Sequence, residues 1–284
     1  MKVYRTPGSS ELAAGNGEPR CVVVAPGDPA AIQAAGEALG FDARVIAALA
    51  RPGRSARADV TATGVVLTVW AASAGREPRL TTIAVTDRDL LALVEGPLGE
   101  EVAAAADRAA DARAALAAAV LAVADGTEAY VDDLAAASDE LGAFEGFFTG
   151  REREALVAQR ARLLRVQHQC AAQHRVLTGD GALAAAVPDL QTAAERFAAA
   201  ADSAAGAYAA LGDALDDLRT TVSERLTLVS TVFLPLTLAG GFFGMNFGWM
   251  TDHLASGASF VLFGIVVPVL TTATTIFVIR RLSG

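Results

Sequence analysis

Apolar positions along this chain fall into three regimes. Between Arg20 and Glu95 they cluster in short β-branched runs; from Leu98 to Arg225 they recur at three- and four-residue intervals in Ala-rich sequence; beyond Arg225 they fuse into two uncharged stretches. The first stretch, Leu226 to Phe247 (LTLVSTVFLPLTLAGGFFGMNF), covers about 33 Å as a helix at ~1.5 Å per residue, enough to cross the roughly 30 Å hydrocarbon core of a bilayer. The second, Ser259 to Ile279 (SFVLFGIVVPVLTTATTIFVI), is of similar length. Together they predict transmembrane helices over 226–247 and 259–279, a polar loop over 248–258 and a short tail over 280–284. Pro235 and Pro268 lie inside the spans, where neighbouring helices or Thr and Ser side chains can satisfy the freed carbonyls.

The N-terminal regime predicts a small α/β domain over 1–97. A polar leader up to Pro19 is expected to be disordered. Arg20 to Pro26 (RCVVVAP) reads as a strand and Asp28 to Leu39 as a helix; Gly64 to Ala72 and Arg79 to Val85 read as two strands around the turn Ser73 to Pro78. Thr86 and Asp89 in TDRDLLALV have the spacing of a capping box, with Asp in place of Glu, which predicts a helix from there to about Glu95, stopped by Gly96 and Pro97.

Residues 98–225 predict a stalk of long antiparallel helices. Gly142 to Gly150, the turn Thr178 to Gly181 and Pro188 divide it into Glu100–Gly142, Arg151–Leu177 and a third helix. Pro188 suits a first helical turn. With no strong breaker after it, the third helix is expected to run to about Gly244, some 85 Å at ~1.5 Å per residue. Gly206 and Gly212 weaken it locally by about 1 kcal/mol each.

Composition narrows the function classes. The net charge is −9 and Lys2 is the one lysine, so nucleic acid is not expected as a partner, because phosphate binding needs clustered cations. Cys21 and Cys170 are far apart and in no metal-type spacing, so neither a disulfide framework nor a zinc site is expected. No Walker loop, dinucleotide-binding glycine pattern or catalytic triad motif is present, which leaves no support for an enzyme or for a cofactor. The N-terminus has no apolar core of the secretory type, so a cytoplasmic start is expected. Arg219 and Arg225 flank the first span and Arg280 and Arg281 the second, while the connecting loop has neither Lys nor Arg. The positive-inside rule then places both ends in the cytoplasm of a multi-pass inner-membrane protein.

Two spans cannot enclose a water-filled path, so transport would require several copies, each contributing a helix to the axis. At ~100° per residue, Ser223, Leu226, Leu234, Thr237, Gly241 and Gly244 all fall within about 40° of Ser230. That stripe is small or weakly polar. It suits tight helix packing and the lining of a pore alike. Asn246 falls about 160° from it, so the backbone must leave helical geometry near Gly244 for Asn246 to face the same axis. A ring of Asn carboxamides would suit a hydrated ion. Mg²⁺ sheds its waters reluctantly, so neutral oxygens at the right spacing recognise it better than carboxylates do. No charge lies inside either span, which favours a channel over a proton-coupled pump.

With FLPLTLAGGFFGMNF (Phe233 to Phe247), the Leu226-Thr227 and Pro235-Leu236-Thr237 patterns and two C-terminal spans after a long helix, the chain resembles the CorA family of divalent cation transporters. The resemblance implies an α+β cytoplasmic domain, a helical stalk and two transmembrane helices in a homopentamer. It implies a Mg²⁺ influx channel, with Co²⁺ and Ni²⁺ as further substrates, and cytosolic intersubunit metal sites whose occupancy closes the pore. Mg²⁺ is then both substrate and regulator. Gly244, Met245 and Asn246 become the selectivity filter, and Ser223, Leu226, Ser230, Leu234, Thr237 and Gly241 line the path. The family's Met-Pro-Glu loop is here Met250, Thr251, Asp252, where Asp252 keeps an anion that concentrates cations outside. The family's hydrophobic constriction falls on Ser223 and Leu226, where Ser223 is small and polar, so either the gating is looser or the gate rests on Leu226 and Leu234. Asp213, Asp216 and Asp217 are the candidates for the regulatory metal site.

Two other readings compete: a zinc transporter of the same superfamily, and a membrane-anchored helical scaffold that does not conduct. Cys170 and His174 are four apart on a helix, but with no third ligand in view they are expected to serve in packing.

Overall fold

The computed structural model describes residues 2–5, 19–50, 55–73, 76–94, 96–142, 150–179, 181–244 and 256–282. The chain divides into two units, 1–212 and 213–284.

The first unit is built on a six-stranded mixed sheet. Its strands are β1 (Lys2–Arg5), β2 (Arg20–Val24), β3 (Arg57–Thr61), β4 (Gly64–Ser73), β5 (Arg76–Thr86) and β6 (Leu90–Leu93), in the order β1-β2-β6-β5-β4-β3. The pairs β1–β2 and β2–β6 are parallel, and the pairs from β6 through β5 and β4 to β3 are antiparallel. The polar leader is therefore not all disordered: Lys2–Arg5 adds an edge strand in register with Arg20–Val23.

Both faces of the sheet are covered, which is why β2 and β6 read as continuous apolar runs rather than alternating ones. Strand geometry sends successive side chains to opposite faces. Val22, Val24, Leu91 and Leu93 accordingly pack with α1 (Pro29–Ala38) and α2 (Ala43–Leu49). Cys21, Val23, Leu90 and Ala92 point the other way, into the larger core. That core is formed with α3 (Pro97–Asp107), α4 (Ala112–Gly142), the end of α5 (Gly150–Gly179), α6 (Gly181–Ala186) and the start of α7 (Gln191–Gly244).

The capping-box expectation fails here, and instructively. Thr86 Oγ1 does accept the Asp89 N–H at 2.9 Å, as such a motif should, but the Thr86 N–H also donates to the Asp89 carbonyl at 2.8 Å. The motif closes the turn between β5 and β6, and LLAL is a strand instead of a helix. Every residue of β6 is buried, because it lies between β2 and β5 with helices on both sides. A run of four buried apolar residues has no periodicity to separate strand from helix.

Asp89 is itself buried. Its carboxylate accepts the Arg20 backbone N–H at 2.8 Å and Arg20 Nη2 at 2.9 Å, while the same Nη2 donates to the Ala38 carbonyl at 3.1 Å. The pair thus joins β2, the end of β5 and the C-terminus of α1.

A second correction concerns the helix expected over Glu100–Gly142. It is two helices, α3 and α4, separated by a break at Arg108–Asp111, where the Asp111 side chain caps α4 by accepting the Ala114 N–H at 2.8 Å. An Asx cap of this kind lets Asp compete with helix continuation. Elsewhere the structure adds α2, β3 and α6, which short segments without clear periodicity did not signal. The third stalk helix starts with a 3₁₀ turn, Pro188–Leu190, and continues as α7 through Gly244.

Gly64 shows where backbone proximity dictates a residue. A Cβ there would sit 2.0 Å from the Val85 carbonyl oxygen of the paired strand. Gly64→Ala is therefore expected to destabilise the protein by about 3 kcal/mol through strand displacement. The check is a fall of about 6 °C or more in the thermal midpoint of the purified full-length chain.

Candidate functional site

Two helices among the described residues are long and apolar enough to cross a membrane, Ala112–Gly142 and the segment 257–274. Packing separates them. In α4, Leu116, Val120, Val123 and Ala124 are wholly buried in the larger core, so this helix is the centre of a water-soluble fold. In 257–274 nothing of the apolar window is buried within the chain. The apolar end of α7 behaves like the latter: Leu226, Phe233, Leu234 and Leu238 are 63–75% exposed. Exposed apolar surface on this scale requires lipid or protein cover. Both predicted spans thus present apolar faces to the outside of the chain.

The second span is helical from Gly257, two residues earlier than expected, as α8 (Gly257–Val261), a π-helical turn over Leu262–Val266 and α9 (Val267–Leu282). Ser256 caps it by accepting the Ser259 N–H at 3.2 Å. The π turn has a local cause. Pro268 has no N–H to give to the carbonyl four residues back, and Val267 donates instead to Leu262, five residues back. The wider turn accommodates the proline without ending the helix.

In the first span, the pore-lining candidates lie on one continuous helix, and Ser223, Leu226, Ser230, Leu234, Thr237 and Gly241 are all exposed. The hydroxyl groups are already partly committed. Ser230 Oγ donates to the Leu226 carbonyl at 2.9 Å and Thr237 Oγ1 to the Phe233 carbonyl at 2.8 Å; Thr227 and Thr231 donate in the same way to Ser223 and Thr227. A hydroxyl that has donated its hydrogen to the backbone keeps its lone pairs as acceptors. The stripe therefore offers oxygen acceptors, the groups that the outward-pointing hydrogens of a hydrated cation need. At Gly240 and Gly241 no described atom beyond the adjoining turns of the helix lies within 4 Å of where a Cβ would stand, so a neighbouring helix can approach the backbone closely there.

Gly244 is helical; Met245, Asn246 and Asp252 lie outside the described residues, as does the expected departure from helical geometry after Gly244. Asp213, Asp216 and Asp217 are exposed on α7. Asp216 pairs with Arg219 at 3.2 Å on a fully solvated face, and among the described residues no three His, Cys, Asp or Glu side chains converge on a metal position. A site built from these aspartates within one chain is not formed.

Cys170 and His174 also serve packing. Cys170 is wholly buried, and burial pushes its thiol up to about 12. His174 Nδ1 lies 3.0 Å from the Ala194 carbonyl, tying α5 to α7. Toward the start of α5, Arg160 stacks 4.5 Å over the Tyr208 ring of α7.

Comparison with known proteins agrees with this architecture. A solved structure of full-length CmaX shares it at a TM-score of 0.61 and 15% identity, covering 93% of this chain and 88% of that one. The complete CorA magnesium transporter of Methanocaldococcus jannaschii does so at a TM-score of 0.59 and 14% identity, covering 92% and 90%. The cytoplasmic domain of ZntB from Vibrio parahaemolyticus RIMD 2210633 matches at a TM-score of 0.56 and 9% identity, covering 72% and 88%. At these identities the likeness is one of fold. No curated protein matches the sequence. The family described as CorA-like Mg²⁺ transporter protein matches residues 23–281. With nearly the whole chain matched, and with an α+β unit, long helices and exposed apolar C-terminal helices in place, this protein belongs to the CorA-like family of membrane divalent cation transporters.

Proposed function

We propose that the chain is the subunit of a homopentameric Mg²⁺ influx channel, with both termini in the cytoplasm and the end of α7 lining the path. The observation that carries this reading is the exposed stripe of α7, apolar enough for a bilayer yet supplied with hydroxyl acceptors at Ser230 and Thr237. It leads directly into Gly244-Met245-Asn246. In this reading the Asn246 carboxamides form a neutral ring at the outer mouth that accepts hydrogen bonds from the waters of the ion. Asp252 raises the local cation concentration outside it. Inward flow is driven by the membrane potential, ~4.6 kcal/mol per 100 mV for a doubly charged ion.

Mg²⁺ flux into proteoliposomes of the purified full-length chain, under an inside-negative potential, tests the proposal. Saturable Mg²⁺ entry exceeding that of Zn²⁺ is the expected result. Zn²⁺ in preference to Mg²⁺ would move the chain to zinc transport, and no flux of either would leave a membrane-anchored scaffold.

The proposed gate gives a separate prediction. Leu226 is 63% exposed toward the outside of the chain, so in a ring of copies its side chains would close the cytoplasmic end of the path by dewetting. Leu226→Ala is expected to conduct severalfold more than the wild type when internal Mg²⁺ is raised. Equal currents in the two would remove Leu226 from the gate.

A further inference from the structure

The folding back of α3 on α4 leaves a groove of about 590 Å³ on the outside of the first unit, lined mostly by alanines. The short connector places Arg108 and Ala114 together at its turn end and Glu101 and Asp125 at its far end. From Ala114 to Asp125 it is about 16 Å long at ~1.5 Å per residue. The groove thus has a cationic end, an apolar floor and an anionic end.

The outer face of α5 carries the matching relief. Glu154, Val157, Ala161, Leu164 and Arg165 are all exposed and fall within about 100° of one another on the helix. Val157 is 66% exposed and Leu164 38%, and with Val60 they are the exposed large apolar side chains described in residues 1–212. Glu154 and Arg165 are again about 16 Å apart at ~1.5 Å per residue. An α5 laid along the groove in the direction of α4 would put Glu154 beside Arg108, Val157 and Leu164 over the alanines, and Arg165 beside Glu101. Asp125 already faces Arg196 at 3.7 Å, so Glu101 is the better seat for the arginine.

No residue of α5 lines the groove, and the α5 stripe faces outward, so the two surfaces are free to meet between molecules. We propose that α5 of one copy docks in the α3–α4 groove of the next. The two patches differ, so the contact is heterologous and propagates from copy to copy until it closes a ring. Alanine lining lets the helix approach closely, and the opposed charges at the two ends fix its direction. This inference rests on the reading of the chain as a ring-forming channel subunit.

The test is disulfide trapping of the full-length chain in detergent, with Ala122→Cys and Ala161→Cys combined, the groove alanine and the α5 alanine that this register brings level. The native Cys21 and Cys170 are buried and their thiols are pushed up to about 12, so they do not compete. Mild oxidation is expected to convert most of the monomer band into a ladder of oligomers, while each single-cysteine variant stays monomeric on the gel. Adding Arg108→Glu should reduce the ladder, and Glu154→Arg on top of it should restore it. A native mass showing the ring without a ladder from the double variant would overturn the docking mode alone. So would self-linking of either single variant. A native mass of one chain would overturn the ring reading and the docking with it.

Discussion

Asn246→Ala is expected to reduce Mg²⁺ influx by at least about tenfold while leaving the protein folded and assembled. In the proposed pore each Asn246 contributes a neutral oxygen that accepts a hydrogen bond from the water shell of the ion. A typical hydrogen bond of this kind is worth roughly 0.5–1.5 kcal/mol. The truncation acts on every copy at once, so the losses combine, and 1.4 kcal/mol already corresponds to about tenfold in occupancy. The helix leading to Asn246 is exposed through Leu234 and Leu238, so it is not held by a core of the chain itself. A change in flux without a change in thermal midpoint is therefore the signature to look for in proteoliposomes. Unaltered flux would remove the filter from Asn246, and with it the argument for recognising a hydrated ion.

The second large effect concerns stability. Asp89→Ala is expected to cost about 3–5 kcal/mol, the range for breaking a buried ion pair by removing one partner. Side-chain exposure is 12% for Arg20 and 4% for Asp89, so solvent does not compensate the remaining guanidinium. The loss also takes the acceptor of the Arg20 backbone N–H. The control is the double variant Arg20→Met with Asp89→Leu, which removes both charges and should recover much of the stability. A double-mutant cycle on the thermal midpoints of the full-length chain separates the pair's coupling from the loss of either side chain. Additive losses would show that the pair does not hold β2 to the β5–β6 turn. The exposed pairs, such as Arg113–Asp87 at 2.9 Å, are expected to contribute no more than about 1 kcal/mol each.

Asp89 also marks the limit of local reading. Thr86 and Asp89 make the hydrogen bond that their spacing promises, yet the same bond caps a helix in one context and closes a tight strand connection in another. Which one forms depends on whether Leu90–Leu93 finds strand partners on both sides, and β2 is some seventy positions away in sequence (|i−j| of 69 for Arg20 and Asp89). The break between α3 and α4 is of the same kind: Asp111 is compatible with a helix interior by composition, and its cap at Ala114 wins only because the two helices then pack against each other and the sheet.

The sequence by itself determined the features whose cause is local or repeats along the chain. These are the strands expected over 20–26, 64–72 and 79–85, although the expected turn Ser73–Pro78 is shorter because the third strand already starts at Arg76, the long helix from Pro188 to Gly244, the two uncharged stretches long enough for a bilayer, and the stripe from Ser223 to Gly241. The resemblance to the family was carried by a short motif around Gly244. Tertiary structure decided whatever depended on a distant partner. It made β6 a strand and buried Asp89 against Arg20. It also decided that α4, as long and apolar as a membrane span, lies in a protein core whereas the end of α7 does not. Length and hydropathy measure only how much a helix gains by leaving water; what it leaves water for is set by whether the rest of the fold supplies a surface to cover it.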